Sequence, residues 1–155
     1  MGKILKHNIV NGIISKHLKA AGLPNILEPS NLINSNGLRP DGVTLLPYKL
    51  GRCLTWDFTC PHPLAASHLP NGNVAESAEI TKTNKYRALS ENYIFSPIAI
   101  DTMGGYSPAT KKLINFIGDK LTEKHSDRRR KAFLKQSIGI AIQRGNAKTL
   151  LFSID

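Results

Sequence analysis

Apolar and polar residues follow two different periods along this chain, and the points where the period changes mark the elements. Between residues 3 and 21, Ile4, Ile9, Ile13, Ile14, Leu18 and Ala21 fall mostly on one helical face, with Lys6, Lys16 and Lys19 opposite and Gly22 as a stop. Asn25-Ile26-Leu27-Glu28 predicts a short extended segment that Pro29 ends. After a polar loop, Val43 to Tyr48 and Arg52 to Cys60 predict two strands, with Lys49-Leu50-Gly51 as the hairpin turn between them. Pro61, Pro63, Pro70 and the Asn71-Gly72-Asn73 turn make residues 61–73 a loop. A second helix is predicted over 74–89, with Ala75, Ala78, Tyr86 and Leu89 turned partly inward. Tyr93 to Asp101 predicts a fourth strand, in which Pro97 implies an edge position or a bulge. Ser107 as cap and Pro108 in the first turn start a helix running to about residue 124. A last helix is expected over about 128–144, ending in a left-handed cap at Gly145-Asn146.

The predicted order is therefore α-β-β-β-α-β followed by two helices, with no repeat, low-complexity tract or linker. One α/β domain with a small mixed sheet is expected over 1–155, with its core at about 3–101 and a helical extension at 107–146. With 155 residues, 41% of them hydrophobic and 21% charged, the chain can bury a core. The 21 Lys and Arg against 11 Asp and Glu leave a net charge of +10, which favours a polyanionic partner, nucleic acid first and an anionic membrane surface second. Cys53 and Cys60 are too few for a disulfide scaffold and predict a reducing, intracellular setting. No apolar stretch reaches bilayer length, and the polar start Met1-Gly2-Lys3-Ile4-Leu5-Lys6 suits neither a signal peptide nor myristoylation. A soluble protein is expected. Cys53, Cys60, His62 and His68 do not predict a zinc site, because the cysteines stand seven apart on one strand and face opposite sides.

Between Pro29 and Ala75 the only carboxylates are Asp41 and Asp57. Asp41 precedes a strand, and Asp57 sits inside an apolar one between Trp56 and Phe58. A charge there is costly to desolvate unless it is paired or coordinated. Pairing of the strands as a hairpin brings the two aspartates together, and a divalent cation between them relieves their repulsion. The alternative is that Asp57 pairs with Arg39 or Arg52 while Asp41 caps a turn.

Lys6-His7-Asn8, Leu27-Glu28-Pro29, Arg39-Pro40-Asp41-Gly42, Trp56-Asp57-Phe58-Thr59 and Lys82-Thr83-Asn84-Lys85-Tyr86 follow one another in order on those elements. Together they resemble the restriction-like endonuclease domain that follows the reverse transcriptase in some non-LTR retrotransposons, and retroelement-derived reading frames more generally. That domain belongs to the PD-(D/E)xK superfamily. The resemblance covers about residues 3–100, and the tail from Ile138 to Asn146 also looks like the end of such reading frames. It implies a restriction-endonuclease-like αβββαβ core and Mg²⁺-dependent nicking of DNA, with Mn²⁺ as a possible substitute. Asp41 and Asp57 match the metal-binding aspartates, and Glu28 matches a third metal-site carboxylate. Thr59 occupies the usual place of the catalytic lysine, which in the retroelement branch moves to the following helix, where Lys82 matches it and Lys85 is the rival. The chain carries no polymerase, which implies a fragment, a gene remnant or a reused domain.

In this chemistry the Phe58 carbonyl is a further metal ligand, and Lys82 orients water or stabilises the phosphorane. The alternative for Lys82 is a solvated helix lysine, and Tyr86 is more readily a core residue than a catalytic one. His7 would touch phosphate or support the site, or else be a surface histidine. Arg128, Arg129, Arg130 and Lys131 concentrate charge at a helix start, either for DNA phosphates or as a solvated face, and Arg144 and Lys148 extend that surface. Expected partners are DNA and an RNA or reverse transcriptase of the parent element, with a nuclear destination and no membrane. The competing function is a nucleic-acid-binding module on the same fold whose catalysis is lost. A basic protein-interaction domain comes third.

Overall fold

Leu50 and Gly51 both take positive φ, 51° and 69°, as a two-residue type I′ hairpin turn requires. In the computed structural model, which describes residues 2–32, 37–64 and 73–153, this turn joins β2 (Gly42–Lys49) to β3 (Arg52–Thr59). The short strand β1 (Asn25–Leu27) pairs antiparallel on the outer side of β2, and β4 (Tyr93–Ala99) pairs parallel to β3. The sheet is mixed, in the order β1-β2-β3-β4. Pro97 lies on an edge strand, where its missing N–H costs no ladder bond. Pro47 interrupts the β2–β3 register, and the Thr44 hydroxyl repairs it by accepting from the Leu54 amide at 2.9 Å.

Four helices surround the sheet: α1 (Gly2–Ala20), α2 (Val74–Lys85), α3 (Pro108–His125) and α4 (Arg129–Ser153). Leu54, Trp56 and Phe58 alternate onto one face of β3 and are buried against Val10, Ile14 and Leu18 of α1 and the apolar stripes of α3 and α4. Thr55 and Asp57 point to the other face, where α2 supplies Tyr86 at its end. The α2 segment is the crossover that a parallel β3–β4 pair needs. Asn73 caps α2, Ser107 caps α3, and Glu79 of α2 accepts from the Ala109 amide in the first turn of α3 at 2.9 Å. Among the described residues no helix is long and apolar enough to cross a membrane.

The predicted α/β class, the mixed sheet and the element order all stand. Three details differ. The buried stripe of α1 runs Lys6, Val10, Ile14, Leu18 at four-residue steps, whereas Ile4 is 70% exposed and Ile9 39%. α2 gives way at Tyr86 to a 3₁₀ turn over Arg87–Glu91, a tightening common at helix ends. α4 does not stop at Gly145 but continues to Ser153. Gly145 serves packing there, since a Cβ would lie 2.7 Å from Lys6 Cε and 2.8 Å from Lys6 Cβ. The loop expected over 61–73 is described only up to Leu64 and from Asn73, so His68, Pro70 and the turn at Asn71-Gly72 lie outside the described residues.

These contacts predict opposite outcomes at two helical glycines. Gly145→Leu drives a branched side chain into Lys6 and lowers stability by about 1–3 kcal/mol. Gly12→Ala on α1, where a Cβ meets nothing within 4 Å, raises stability by about 0.5–1 kcal/mol. Urea denaturation of the two variants beside wild type measures both.

Candidate active site

Asp41 sits one residue before β2 but is already part of the ladder. Its amide donates to the Trp56 carbonyl at 2.8 Å, and its carbonyl accepts from the Glu28 amide at 2.8 Å. The register is locked by the next residue: a Cβ on Gly42 would lie 2.1 Å from the Trp56 ring, so only glycine lets the indole lie flat across β2. That register carries Asp41 to the same sheet end as Asp57. Both residues are buried, at 9% and 5% exposure, and the charge on Asp41 is felt at Asp57.

Each carboxylate is compensated from a different helix. Asp41 Oδ2 accepts from the Phe58 amide at 2.6 Å and lies 3.0 Å from His7 Nε2 of α1. Asp57 Oδ2 is 2.6 Å from Lys82 Nζ of α2, and Asp57 Oδ1 is 3.2 Å from the Tyr86 hydroxyl. Lys82 and Tyr86 are four residues apart, one helical turn, which is why both reach the same aspartate. The Tyr86 hydroxyl is also 3.2 Å from the Arg39 carbonyl, so its single proton is shared between two acceptors. Lys85 points elsewhere and lies 5.2 Å from the centre of the Tyr86 ring.

The proton affinities follow from these contacts. Burial pushes the Asp57 carboxyl above its ordinary range; the Lys82 ammonium opposes this and the negative charge on Asp41 adds to it. Burial also opposes ionisation of Asp41, but the hydrogen bonds from His7 and the Phe58 amide outweigh it and hold that carboxyl below its ordinary range. The hydrogen bond to Asp41 raises the His7 imidazole above its usual 6.5, against a smaller desolvation effect. Burial and the nearby Asp57 push the Tyr86 hydroxyl well upward, so at neutral pH it acts as a donor.

A polar relay stands behind His7. The Trp56 indole N–H donates to Asn11 Oδ1 at 3.1 Å, and the Asn11 amide nitrogen lies 3.3 Å from His7 Nδ1. Indole is donor-only, so it fixes the amide with nitrogen toward His7. A neutral His7 then carries its proton on Nε2, facing Asp41. Sequence reasoning missed Asn11; a polar residue amid the apolar positions Ile9, Ile13 and Ile14 of the first helix was the one usable signal, and its contact with Trp56, 45 residues away, was not legible.

The remaining expected site residues are placed as follows. Glu28 has a left-handed φ of 49° and borders a cleft of about 260 Å³ shared with His7, Asn11 and Asp41. Its carboxylate is exposed and pairs with Arg39 at 3.4 Å. Asp57 pairs with Lys82, not with Arg39 or Arg52; the Arg52 guanidinium donates to the Ser90 carbonyl. Arg128 to Lys131 lie at the far end of α1 from His7. His125 meets the Ala20 carbonyl at 2.9 Å, and thirteen residues of helix from His7 to Ala20 span roughly 20 Å. Arg129 pairs with Asp127 and Lys131 with Asp119. Arg128 and Arg130 have no carboxylate partner among the described residues. Arg144 and Lys148 fall toward the opposite end of α4, nearer Lys6, which meets Asn146 at 2.6 Å.

Among the described residues no group of three or more His, Cys, Asp or Glu side chains is clustered as metal ligands. A cation held at this sheet end would have the Asp41 and Asp57 carboxylates, supplemented by backbone oxygen. Phe58 can supply the backbone part. In an extended strand a residue's N–H and C=O point toward the same neighbour, and the Phe58 N–H points at Asp41. No protein-family model matches the chain, and no curated protein matches it.

The His7–Asp41 pair has a definite pH signature. The folded pKa of His7 exceeds 6.5, so its stabilisation is fully present below 6.5 and is lost as pH rises through the folded value. The stability advantage of wild type over His7→Gln should therefore shrink above neutrality in denaturation series at several pH values. In NMR titration the His7 ring should have its midpoint above 6.5 in wild type, and Asp41→Asn should bring it down.

Proposed function

We propose that this chain is a divalent-cation-dependent DNA endonuclease domain on a restriction-endonuclease-like core, of retroelement origin. The observation that carries the reading is the Lys82 ammonium 2.6 Å from Asp57, at the sheet end where buried Asp41 and Asp57 converge. Two adjacent buried carboxylates, a helix-borne lysine and a strand carbonyl are the donor set that the sequence resemblance implies. The order αβββαβ and the net charge of +10 support the same reading.

Asp41, Asp57 and the Phe58 carbonyl would hold Mg²⁺ or Mn²⁺, ions that prefer oxygen ligands and keep several waters. Such an ion lowers the pKa of a bound water and neutralises charge on the phosphate under attack. The chain's own groups do the rest. Tyr86 donates to Asp57 and keeps its carboxylate oriented. His7 does the same for Asp41, with Asn11 and Trp56 fixing the ring. Lys82 has three N–H donors, so it can contact Asp57 and still donate to a phosphate oxygen or an attacking water. Arg128 and Arg130, beyond the far end of α1 from His7, would supply phosphate contacts away from the cleavage point.

A second reading, a nucleic-acid-binding module that has lost catalysis, is favoured by one observation. Lys82 and His7 already compensate the two aspartates, and Glu28 is turned outward to Arg39, so the site is electrostatically balanced by the protein alone.

Nicking of supercoiled plasmid by purified protein separates the two. Cleavage is expected with Mg²⁺ or Mn²⁺ and not with EDTA. Asp57→Asn and Lys82→Met should each reduce the rate on the order of 10²–10³-fold while sparing the gel shift. A wild type that is inactive with every metal yet shifts DNA with a steep salt dependence establishes the binding module. Neither cleavage nor salt-dependent binding would sink both readings.

A further inference from the structure

Lys6 is 94% out of contact with solvent, being 6% exposed, yet it pairs with no carboxylate among the described residues. Its ammonium donates to Asn146 Oδ1 at 2.6 Å, and a weak contact to Cys60 Sγ lies at 3.9 Å. An ammonium carries three donors and a full positive charge. One amide oxygen and one distant sulfur satisfy neither. Burying a charge in this way is costly unless an anion accompanies it.

Lys6 also lies where an anion could reach it. It lines a pocket of about 750 Å³, within the roughly 300–1,000 Å³ range of small-molecule sites. Thr102 is in the same lining; its hydroxyl is buried behind that surface without a hydrogen-bond partner among the described residues, and its carbonyl accepts from Asn146 at 2.7 Å. Phe58, Met103 and Leu150 give the space a largely apolar wall, with Lys3 and His62 as further basic groups at its lining. A charged donor and an orphan hydroxyl beside an apolar, partly aromatic wall match a ligand with an anionic head and a flat apolar body. The pocket opens beside His7 and Phe58, both of which also touch Asp41.

We propose that this pocket is a nucleotide site, in which Lys6, Asn146 and Thr102 hold a phosphoryl group and Phe58, Met103 and Leu150 receive the sugar and base. The phosphoryl site stands on Lys6 and its surroundings alone. That the nucleotide arrives as part of a DNA strand, next to the bond at Asp41 and Asp57, rests on the function proposed above.

Calorimetric titration in EDTA, with no metal and no cleavage, tests the pocket apart from the nuclease reading. The probes are dAMP, deoxyadenosine and inorganic phosphate. dAMP should bind at least tenfold more tightly than either of the others, because each lacks half of the recognition. Lys6→Met keeps most of the stem and should weaken dAMP at least tenfold. Asn146→Asp gives the ammonium an internal anion at the cost of the bond to the Thr102 carbonyl, so it should also abolish dAMP binding, and an unchanged far-UV spectrum with a cooperative melt excludes misfolding as the cause. Equal affinity for dAMP and deoxyadenosine, or for dAMP and phosphate, overturns the proposal, as does Lys6→Met binding like wild type. Competition in an Asp57→Asn background then assigns the source. If dAMP displaces a single-stranded oligonucleotide, the site takes a strand-borne nucleotide. If dAMP binds in the pocket and the oligonucleotide is not displaced, the site serves free nucleotides.

Discussion

Two negative charges buried side by side are the constraint around which this small domain is arranged. Asp41 and Asp57 repel, and neither can reach bulk water freely. The fold answers with positive partners from opposite faces of the sheet, an imidazole on α1 and an ammonium on α2. Neither helix could slide along the sheet by a turn without leaving one carboxylate uncompensated, so the electrostatics of one sheet end help define where two helices dock. The asymmetry of proton affinity follows as well. The aspartate with backbone and imidazole donors stays ionised, and the more desolvated one holds its proton more tightly.

Beneath the charges lies a packing constraint. The indole of Trp56 crosses β2 over Gly42, and a side chain at that position would force the strands apart. The same indole donates to Asn11, so one residue sets the strand register and, through Asn11, the orientation of His7. A dense apolar layer on that face, from Val10 on α1 to Ile142 on α4, leaves the indole little room to move.

Much of this could be read from sequence because it depends on local chemistry. The Leu50-Gly51 turn, the Ser107 cap, the edge position of Pro97 and the convergence of Asp41 and Asp57 each follow from residues close together in a strand, turn or hairpin. What could not be read depends on which side of an element docks. Apolar periodicity assigned Ile4 and Ile9 to the inner face of α1, whereas a four-residue step from Lys6 to Leu18 turns inward, because α4 approaches so closely at Gly145. Gly145-Asn146 has the composition of a helix end, yet tertiary contact with α1 carries the helix past it. Resemblance favoured Lys82 with Lys85 as its rival, but residue type and spacing alone do not separate them; the docking of α2 sets one on Asp57 and the other on an aromatic ring. Glu28 turns toward Arg39 because of its left-handed backbone, which a residue string does not display.

Lys82 and Tyr86 both belong to α2, which also reaches α3 through Glu79 and the Ala109 amide. Any displacement of α2 from the sheet removes both of the partners that favour ionised Asp57. Linkage then requires the docking equilibrium of the helix and the protonation equilibrium of the aspartate to be a single thermodynamic cycle. Whatever grips α2 from outside changes how many protons the molecule carries, and a change in acidity is felt as a force on the helix.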